Sequence, residues 1–210
     1  LATLAEWYGT TSPAVIRCGW GQERNRNGGS ASMAIMALPA VAGKFGVRGG
    51  GYTMSNSAAW GVKAEQLIDT PAPPTRTINM NQLGRVLTEP QGTPVSVLFV
   101  YNCNPLATMP DQNRVKAGLM RENLFTIVHE QVMTDTAVYA DVVLPATTFL
   151  EHYDIAKGYG AYHFQLVQPV IQPVGEARSN QDVFRELNVR LGQVTAYDDL
   201  CEAGALMETA

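Results

Sequence analysis

The segment Val95-Ser-Val-Leu-Phe-Val-Tyr-Asn-Cys-Asn-Pro105 combines an apolar run with an abrupt polar stop. Residues 97–101 are aliphatic or aromatic without polar alternation, which is typical of a parallel strand covered on both faces. Pro105 cannot continue a central strand and biases Asn104 towards an extended conformation. Asn102 and Asn104 are therefore predicted at the carboxyl end of a buried parallel strand, where open α/β sheets bind ligands. The alternative is that the two asparagines only shape a turn.

The chain after this segment alternates helices and strands. Thr108-Met109-Pro110-Asp111 has the features of a helix start, and this helix is predicted to run to about Glu122. The next elements are a strand at 124–128 that ends at His129-Glu130, a short helix at 134–139 and a strand at 141–145 stopped by proline. Crossovers of this βαβαβ kind are right-handed and give a parallel sheet. The predicted fold class is α/β, a Rossmann-like three-layer domain with a parallel sheet.

The flanking segments add further helices and one weakly patterned region. An amphipathic helix is predicted at 181–191, with an inward face formed by Val183, Phe184, Leu187 and Leu191. The other predicted elements are a helix at 1–11, a strand at 14–17, a helix at 30–42 capped by Gly43, and a final helix at 198–207. We treat 1–210 as a single α/β domain with an irregular insertion at about 52–93.

Composition excludes several classes of protein. A net charge of −4, from 15 basic and 19 acidic residues, is unlike a nucleic-acid-binding or polybasic membrane surface. The three cysteines form no CxxC motif, which argues against a zinc ribbon or an iron–sulfur cluster. No apolar run reaches the ~18 residues of a transmembrane helix. The chain begins with Leu1, so we expect its natural start to be absent, and the compartment stays open with the cytoplasm slightly favoured.

A glycine loop at Gly19-x-Gly21-x-x-Arg24 is the first candidate site. A dinucleotide fingerprint would have glycine at the sixth place, where this chain has arginine. Arg24 weakens the match to a nicotinamide motif, but its guanidinium suits a diphosphate. The alternative is an ordinary strand-to-helix turn.

The pair His129-Glu130 is the second candidate, because acidic residues at strand ends often bind ribose hydroxyls. The alternative is a solvated strand end. We interpret His152 and His163 as structural or surface residues, since neither has metal-ligand spacing, and we expect neither a catalytic residue nor a metal ligand in this chain.

The assembled pattern resembles the molybdopterin-guanine-dinucleotide oxidoreductases, which include formate dehydrogenases, molybdenum nitrate reductases and the dimethyl sulfoxide reductase family. The most specific string is Ala140-Asp-Val-Val-Leu-Pro-Ala146. The resemblance extends over roughly 14–192. It is also carried by Asn27-Gly28-Gly29, Gly49-Gly50-Gly51, Asn104-Pro105-Leu106, Thr134-Asp135-Thr136-Ala137, Thr147, Glu151, Gly175-Glu176-Ala177-Arg178 and Asp182.

The resemblance implies a cofactor-binding domain in the middle of a larger multidomain enzyme. Such a domain holds molybdopterin guanine dinucleotide, one of two that carry molybdenum or tungsten in the bis-MGD cofactor. Asp182 would accept hydrogen bonds from guanine N1 and N2, which suits a carboxylate because both groups are donors. The other implied contacts are Asn102 and Asn104 bordering the nucleotide, Thr108 near a phosphate or the base, His129 and Glu130 at the ribose and guanine, Ala146 through its backbone, and Gly19, Gly21 and Arg24 near the pterin or diphosphate.

Two departures limit what the resemblance implies. Asn104 stands where some family members have an acid, and position 129 is variable in the family. The cluster-binding segment, the metal ligand and the C-terminal barrel of the family are absent from these residues. We therefore expect a fragment whose partners are the remaining domains of the parent enzyme, with no nucleic acid, no membrane segment and an open oligomeric state, and no catalysis by the fragment alone.

Two other functions remain as alternatives. A nicotinamide-dependent dehydrogenase would need an acidic ribose partner about 20 residues after the glycine loop, and positions 36–46 contain no Asp or Glu. A non-catalytic interaction module would keep the fold without the ligand, with 52–93 as its contact surface.

Overall fold

The computed structural model describes residues 1–54, 75–158 and 163–193. The chain divides into two compact units, of which unit 1 is Leu1–Val62 with Ile155–Gln165 and unit 2 is Lys63–Asp154 with Leu166–Ala210. The predicted helix at 198–207 and positions 55–74 of the predicted insertion lie outside the described residues. No helix in the described ranges has both the length and the hydropathy to cross a bilayer.

Residues 1–54 of unit 1 form two helices and a parallel pair of strands. Its elements are α1 (Ala2–Thr10), β1 (Val15–Cys18), a 3₁₀ turn (Gln22–Arg24), α2 (Gly28–Val41) and β2 (Gly51–Met54). β1 pairs with β2 in parallel. Gly43 follows α2 with φ of 62°, as its predicted capping role requires. A Cβ on Gly50 would lie 2.6 Å from the carbonyl oxygen of Lys44, so the triple glycine marks a close backbone approach.

Unit 2 is built on a parallel sheet of three strands, in the order β3-β4-β5. Its elements are α3 (Leu83–Thr88, after a 3₁₀ turn at Met80–Gln82), β3 (Val97–Tyr101), α4 (Pro105–Thr108), α5 (Gln112–Leu119), β4 (Phe125–Glu130), a 3₁₀ turn (Ala137–Tyr139), β5 (Val142–Pro145) and α6 (Asn180–Arg190). Tyr101 is level with His129, and His129 with Leu144. The predicted parallel sheet is confirmed, whereas the helix predicted at 134–139 is only the 3₁₀ turn at Ala137–Tyr139. Two further strands, β6 (Asp154–Lys157) and β7 (Phe164–Val167), form a separate two-stranded sheet whose residues are divided between units 1 and 2.

Helices cover both faces of the three-stranded sheet. Leu98 packs against a cluster from α3 and α5 that contains Leu87 and Val115. The neighbouring residue Phe99 points to the other face, since side chains alternate along a strand. There its ring centroid lies 5.6 Å from that of Phe184 on α6. The predicted three-layer arrangement is therefore confirmed.

The structure corrects the predicted burial of the first strand. Val97 and Tyr101 are 57% and 46% exposed. Within the described residues β3 is an edge strand, and β4 is the central one. The apolar run at 97–101 is therefore only partly buried, although it has no polar alternation. Leu191, predicted to face inward, is 69% exposed because α6 ends at Arg190.

The structure also corrects the helix predicted to begin at Thr108. Two helices occupy this segment, because α4 ends at Thr108 and α5 begins at Gln112. Met109 between them is extended, with φ of −86° and ψ of 150°. Pro110 accounts for the break, since a residue that precedes proline is disfavoured in the helical region.

Replacement of Gly118 by alanine is expected to destabilise the packing of α5 on α3. A Cβ on Gly118 would lie 2.5 Å from Cβ of Leu87, which is fully buried. Overpacking of this kind costs about 1–3 kcal/mol, partly offset by the better helix propensity of alanine. Urea denaturation measures the loss, with Ala117→Ser at an exposed position of the same helix as control. Equal unfolding midpoints for the two variants would contradict the expected clash.

Candidate functional site

The carboxyl edge of the three-stranded sheet gathers the predicted site residues of unit 2. Ala146 N donates to the Glu130 carbonyl at 3.0 Å, which continues the β4–β5 pairing beyond β5. Ala146 also pairs in parallel with Arg178, whose N donates to the Pro145 carbonyl at 3.1 Å. This short pairing places the start of α6 at the same edge. The elements that meet there bear Asn102, Asn104, Thr108, His129, Glu130, Ala146 and Asp182.

The Asn104 side chain is tied into the protein by Thr136. Asn104 Oδ1 accepts from Thr136 Oγ1 at 2.6 Å and from Thr136 N at 3.3 Å. Thr136 Oγ1 in turn accepts from Leu106 N at 3.0 Å, and Thr136 is fully buried. Asn104 Nδ2 lies 3.4 Å from Asp135 Oδ2 at the exposed side. Asn104 thus shapes the turn after β3 and keeps only its amide nitrogen towards the surface.

Asn102 and Thr108 lie on either side of this turn. Asn102 is exposed and has φ of 52°, a left-handed conformation that asparagine tolerates better than most residues. The hydroxyl of Thr108 donates to the Asn104 carbonyl at 2.9 Å. Both asparagines therefore contribute to the turn, and the side chain of Asn102 remains open to solvent.

His129 is buried within β4, because the strand extends two residues beyond its predicted end. Its side chain is 1% exposed, so a solvated strand end is excluded. His129 Nδ1 lies 3.1 Å from the Leu144 carbonyl, which can only accept, so this nitrogen bears the hydrogen. Nε2 is buried and has no hydrogen-bond partner among the described residues. The site thus contains a nitrogen whose hydrogen-bonding capacity the described chain leaves unused.

Glu130 and Ala146 contribute mainly backbone at this edge. Glu130 is half-buried, and its Oε1 accepts from Gln131 N at 2.8 Å. Ala146 has its N–H already bonded to the Glu130 carbonyl. The backbone N–H of Ala146 is therefore not available to a ligand.

Asp182 lies in the first turn of α6, which Ser179 caps. Ser179 Oγ accepts from Asp182 N at 3.2 Å and donates to Asp182 Oδ2 at 3.0 Å. Arg185 Nη2 donates to Asp182 Oδ1 at 2.8 Å. The carboxylate is half-exposed. Phe184 anchors this helix on β3, with ring centroids 5.0 Å from Tyr101.

The glycine loop of unit 1 contains Gly19, Gly21 and Arg24, all exposed. A Cβ on either glycine would meet no atom within 4 Å. Gly21 has φ of −59°, which any residue adopts. The described residues therefore give no internal reason for glycine at these two positions.

A cavity of about 610 Å³ lies between β5, the loop at 175–178 and α6. Its lining includes Leu144, Arg178, Val183 and Glu186. None of the predicted site residues lines it, so the sheet edge and not this cavity defines the candidate site. Within the described ranges, no group of three His, Cys, Asp or Glu side chains could hold a metal ion.

Glu151 fixes the loop that follows β5, and its contribution to stability should depend on pH. Its carboxylate accepts from Thr148 N, Thr148 Oγ1 and Val174 N, each at 2.7 Å. The hydrogen bonds from Thr148, followed by that from Val174, lower the pKa of Glu151 below its usual value of 4.5. A carboxylate whose pKa is lowered by folding stabilises the protein. Its contribution to the free energy of unfolding is complete when the pH is above the usual pKa, and it is lost as the pH falls through the pKa of the folded state.

Unfolding curves of the wild type and Glu151→Gln between pH 7 and pH 3 test this expectation. Glutamine keeps the volume and one acceptor oxygen but does not titrate in this range. The stability difference between the two proteins is expected to shrink as the pH falls. A difference that stays constant down to pH 3 would show that the carboxylate charge is unimportant.

Comparison with known proteins is consistent with the resemblance. The family model described as molybdopterin oxidoreductase matches residues 6–190. "Probable oxidoreductase YoaE" of Bacillus subtilis is 45% identical over 90% of this chain and 28% of its own length. Biotin sulfoxide reductase and dimethyl sulfoxide/trimethylamine N-oxide reductase of Cereibacter sphaeroides are 28% and 27% identical, over 89% and 88% of this chain.

The chain spans about 28% of YoaE and 27% and 26% of the two reductases. Among solved structures, acetylene hydratase from Pelobacter acetylenicus matches 55% of this chain and 16% of its own, with 30% identity and a TM-score of 0.49. The family model covers nearly the whole chain, and the membership implies a molybdopterin cofactor. The chain belongs to the molybdopterin oxidoreductase family, as a domain related to the dimethyl sulfoxide and trimethylamine N-oxide reductases.

Proposed function

We propose that this chain binds the guanine dinucleotide part of the bis-MGD cofactor within a larger oxidoreductase. The main support for the proposal is the carboxyl edge of the sheet, where the elements that bear His129 and Asp182 meet. When bound, the cofactor supplies the redox chemistry of molybdenum or tungsten. The chain's own residues bind and orient its nucleotide end.

The unpartnered Nε2 of His129 is the best test of whether these residues fit a nucleotide. Buried polar atoms are nearly always hydrogen-bonded, so an orphan at a sheet edge calls for an explanation. With the hydrogen on Nδ1, a neutral imidazole offers Nε2 as an acceptor. A ribose hydroxyl or a base N–H would satisfy it. The fit is therefore to a ligand that presents hydrogen-bond donors at this edge.

Asp182 supports guanine as the base. The Watson–Crick edge of guanine presents two adjacent N–H donors, and a half-exposed carboxylate at the start of α6 can accept both. The exposed Asn102 side chain and the Asn104 amide nitrogen remain our proposed contacts at the border of the same ligand. Gly19, Gly21 and Arg24 remain our proposed contacts to the pterin or diphosphate.

We further propose that this chain does not catalyse alone. It spans about 28% of its 45% identical relative, and its partners would be the remaining domains of the parent enzyme.

A thermal-shift series with GDP, GMP, ADP and NAD at matched millimolar concentrations tests the proposal. A ligand at 100 times its Kd adds about 2.7 kcal/mol to the free energy of unfolding. We expect the midpoint to rise with GDP and GMP and to stay constant with ADP and NAD. A rise with NAD alone would favour the dehydrogenase, and no rise with any nucleotide would favour the interaction module.

A further inference from the structure

The carboxylate of Asp182 is held at both of its oxygens by its own helix. Arg185 donates to Oδ1 at 2.8 Å and Ser179 donates to Oδ2 at 3.0 Å. An ionised carboxylate has about four lone-pair positions, two on each oxygen. Each oxygen therefore retains one position after these two bonds are made.

The two free acceptor positions of the Asp182 carboxylate match guanine better than hypoxanthine or adenine. Guanine presents two donors, N1–H and the N2 amino group, one for each oxygen. Hypoxanthine keeps N1–H and lacks the N2 amino group. Adenine presents one donor, its N6 amino group, beside the N1 lone pair, which is an acceptor and would face the second carboxylate oxygen without a hydrogen between them.

We propose that Arg185, with Ser179, is a specificity-determining residue that orients Asp182 for guanine and against hypoxanthine and adenine. The inference rests on the proposed nucleotide-binding function and deepens it. A carboxylate held only through Ser179 can rotate about its last torsion, which is broad in aspartate. With Arg185 in place, both free positions are fixed before the ligand arrives, so less ordering accompanies binding.

The stability of the fold does not explain the Arg185 contact. The side chains of Arg185 and Asp182 are both about half-exposed. Exposed ion pairs between residues three apart on a helix contribute little to the free energy of folding. Arg190 on the same helix provides a matched comparison, since its guanidinium bonds Glu186 and not Asp182. Arg185→Gln and Arg190→Gln thus remove the same charge from the same helix, and only the first removes the charged donor from Asp182 Oδ1.

The test measures the Kd of the whole chain for GDP and IDP by calorimetry, in the wild type, Arg185→Gln, Arg185→Lys and Arg190→Gln. The wild type is expected to bind GDP about tenfold or more tightly than IDP, because IDP leaves one charged acceptor unpaired. In Arg185→Gln the ratio should fall to about threefold. Arg185→Lys, which keeps a charged donor for Oδ1, should restore most of the tenfold ratio, and Arg190→Gln should match the wild type.

Each other result overturns the inference in a distinguishable way. A wild type that binds neither nucleotide would overturn the proposed function and this inference together. If the wild type prefers GDP and Arg185→Gln keeps the same ratio, only the role of Arg185 is wrong. A rise in GDP affinity in Arg185→Gln would show that Arg185 competes with the base for Asp182.

Discussion

Thr136→Val is expected to lower the free energy of unfolding by about 2–4 kcal/mol, although valine has nearly the same shape as threonine. The change leaves Leu106 N–H without its acceptor and removes the 2.6 Å bond to Asn104 Oδ1. Thr136 is fully buried, so water does not reach the position of its hydroxyl. Urea denaturation followed by circular dichroism measures the loss.

Thr126→Val is the matched control, and we expect it to leave the free energy of unfolding unchanged or to raise it. Thr126 is also fully buried, but its hydroxyl oxygen has no hydrogen-bond partner within the described ranges. Its replacement removes an unsatisfied polar group and should leave the protein equally or more stable. Equal losses in the two variants would show that methyl packing and not hydrogen bonding determines stability at these positions.

Asp182→Ala is expected to weaken GDP binding by about 1.5–3 kcal/mol, or roughly 10- to 150-fold, because the guanine donors lose their charged acceptor. Calorimetric titration of the wild type and the variant gives the difference in Kd. The variant also loses an acidic residue from the first turn of α6, which costs about 0.3–1 kcal/mol of stability. Its folding at the titration temperature is therefore checked by circular dichroism.

Glu176→Ala controls for the loss of one negative charge near the same helix. Glu176 is exposed in the loop before α6 and is not among the proposed nucleotide contacts. Its replacement should leave GDP binding unchanged. If Asp182→Ala binds GDP as tightly as the wild type, Asp182 is not the guanine acceptor and the assignment is wrong.

Local sequence pattern was sufficient to predict most of the elements of unit 2. The apolar run at 97–101 is β3, and the segment before Pro145 is β5, because apolar β-branched runs bounded by proline have few other stable conformations. The predicted helix at 181–191 is α6, displaced by one residue. Its start follows from Ser179 and Asp182, whose spacing is typical of helix capping.

Interactions between distant residues were not predictable from that pattern. Thr136 holds Asn104 across 32 positions, and the sequence offered no signal for this contact beyond a motif match. His129 was assigned to a strand end, whereas the pairing of β4 with β5 extends the strand and buries the ring. Both outcomes depend on which strands become neighbours, which local propensity does not specify.

The sequence by itself determined the α/β class, the parallel sheet and the family, because apolar runs, proline stops and the Ala140–Ala146 string are properties of short segments. Only the tertiary structure decided that Asn104 is bound by Thr136, that Nε2 of His129 has no partner among the described residues, and that Arg185 and Ser179 bind the Asp182 carboxylate. Hydrogen bonds form between atoms at defined distances and angles. Which atoms meet is determined by the packing of helices on the sheet, and so the free acceptors of the site follow from the fold and not from residue type.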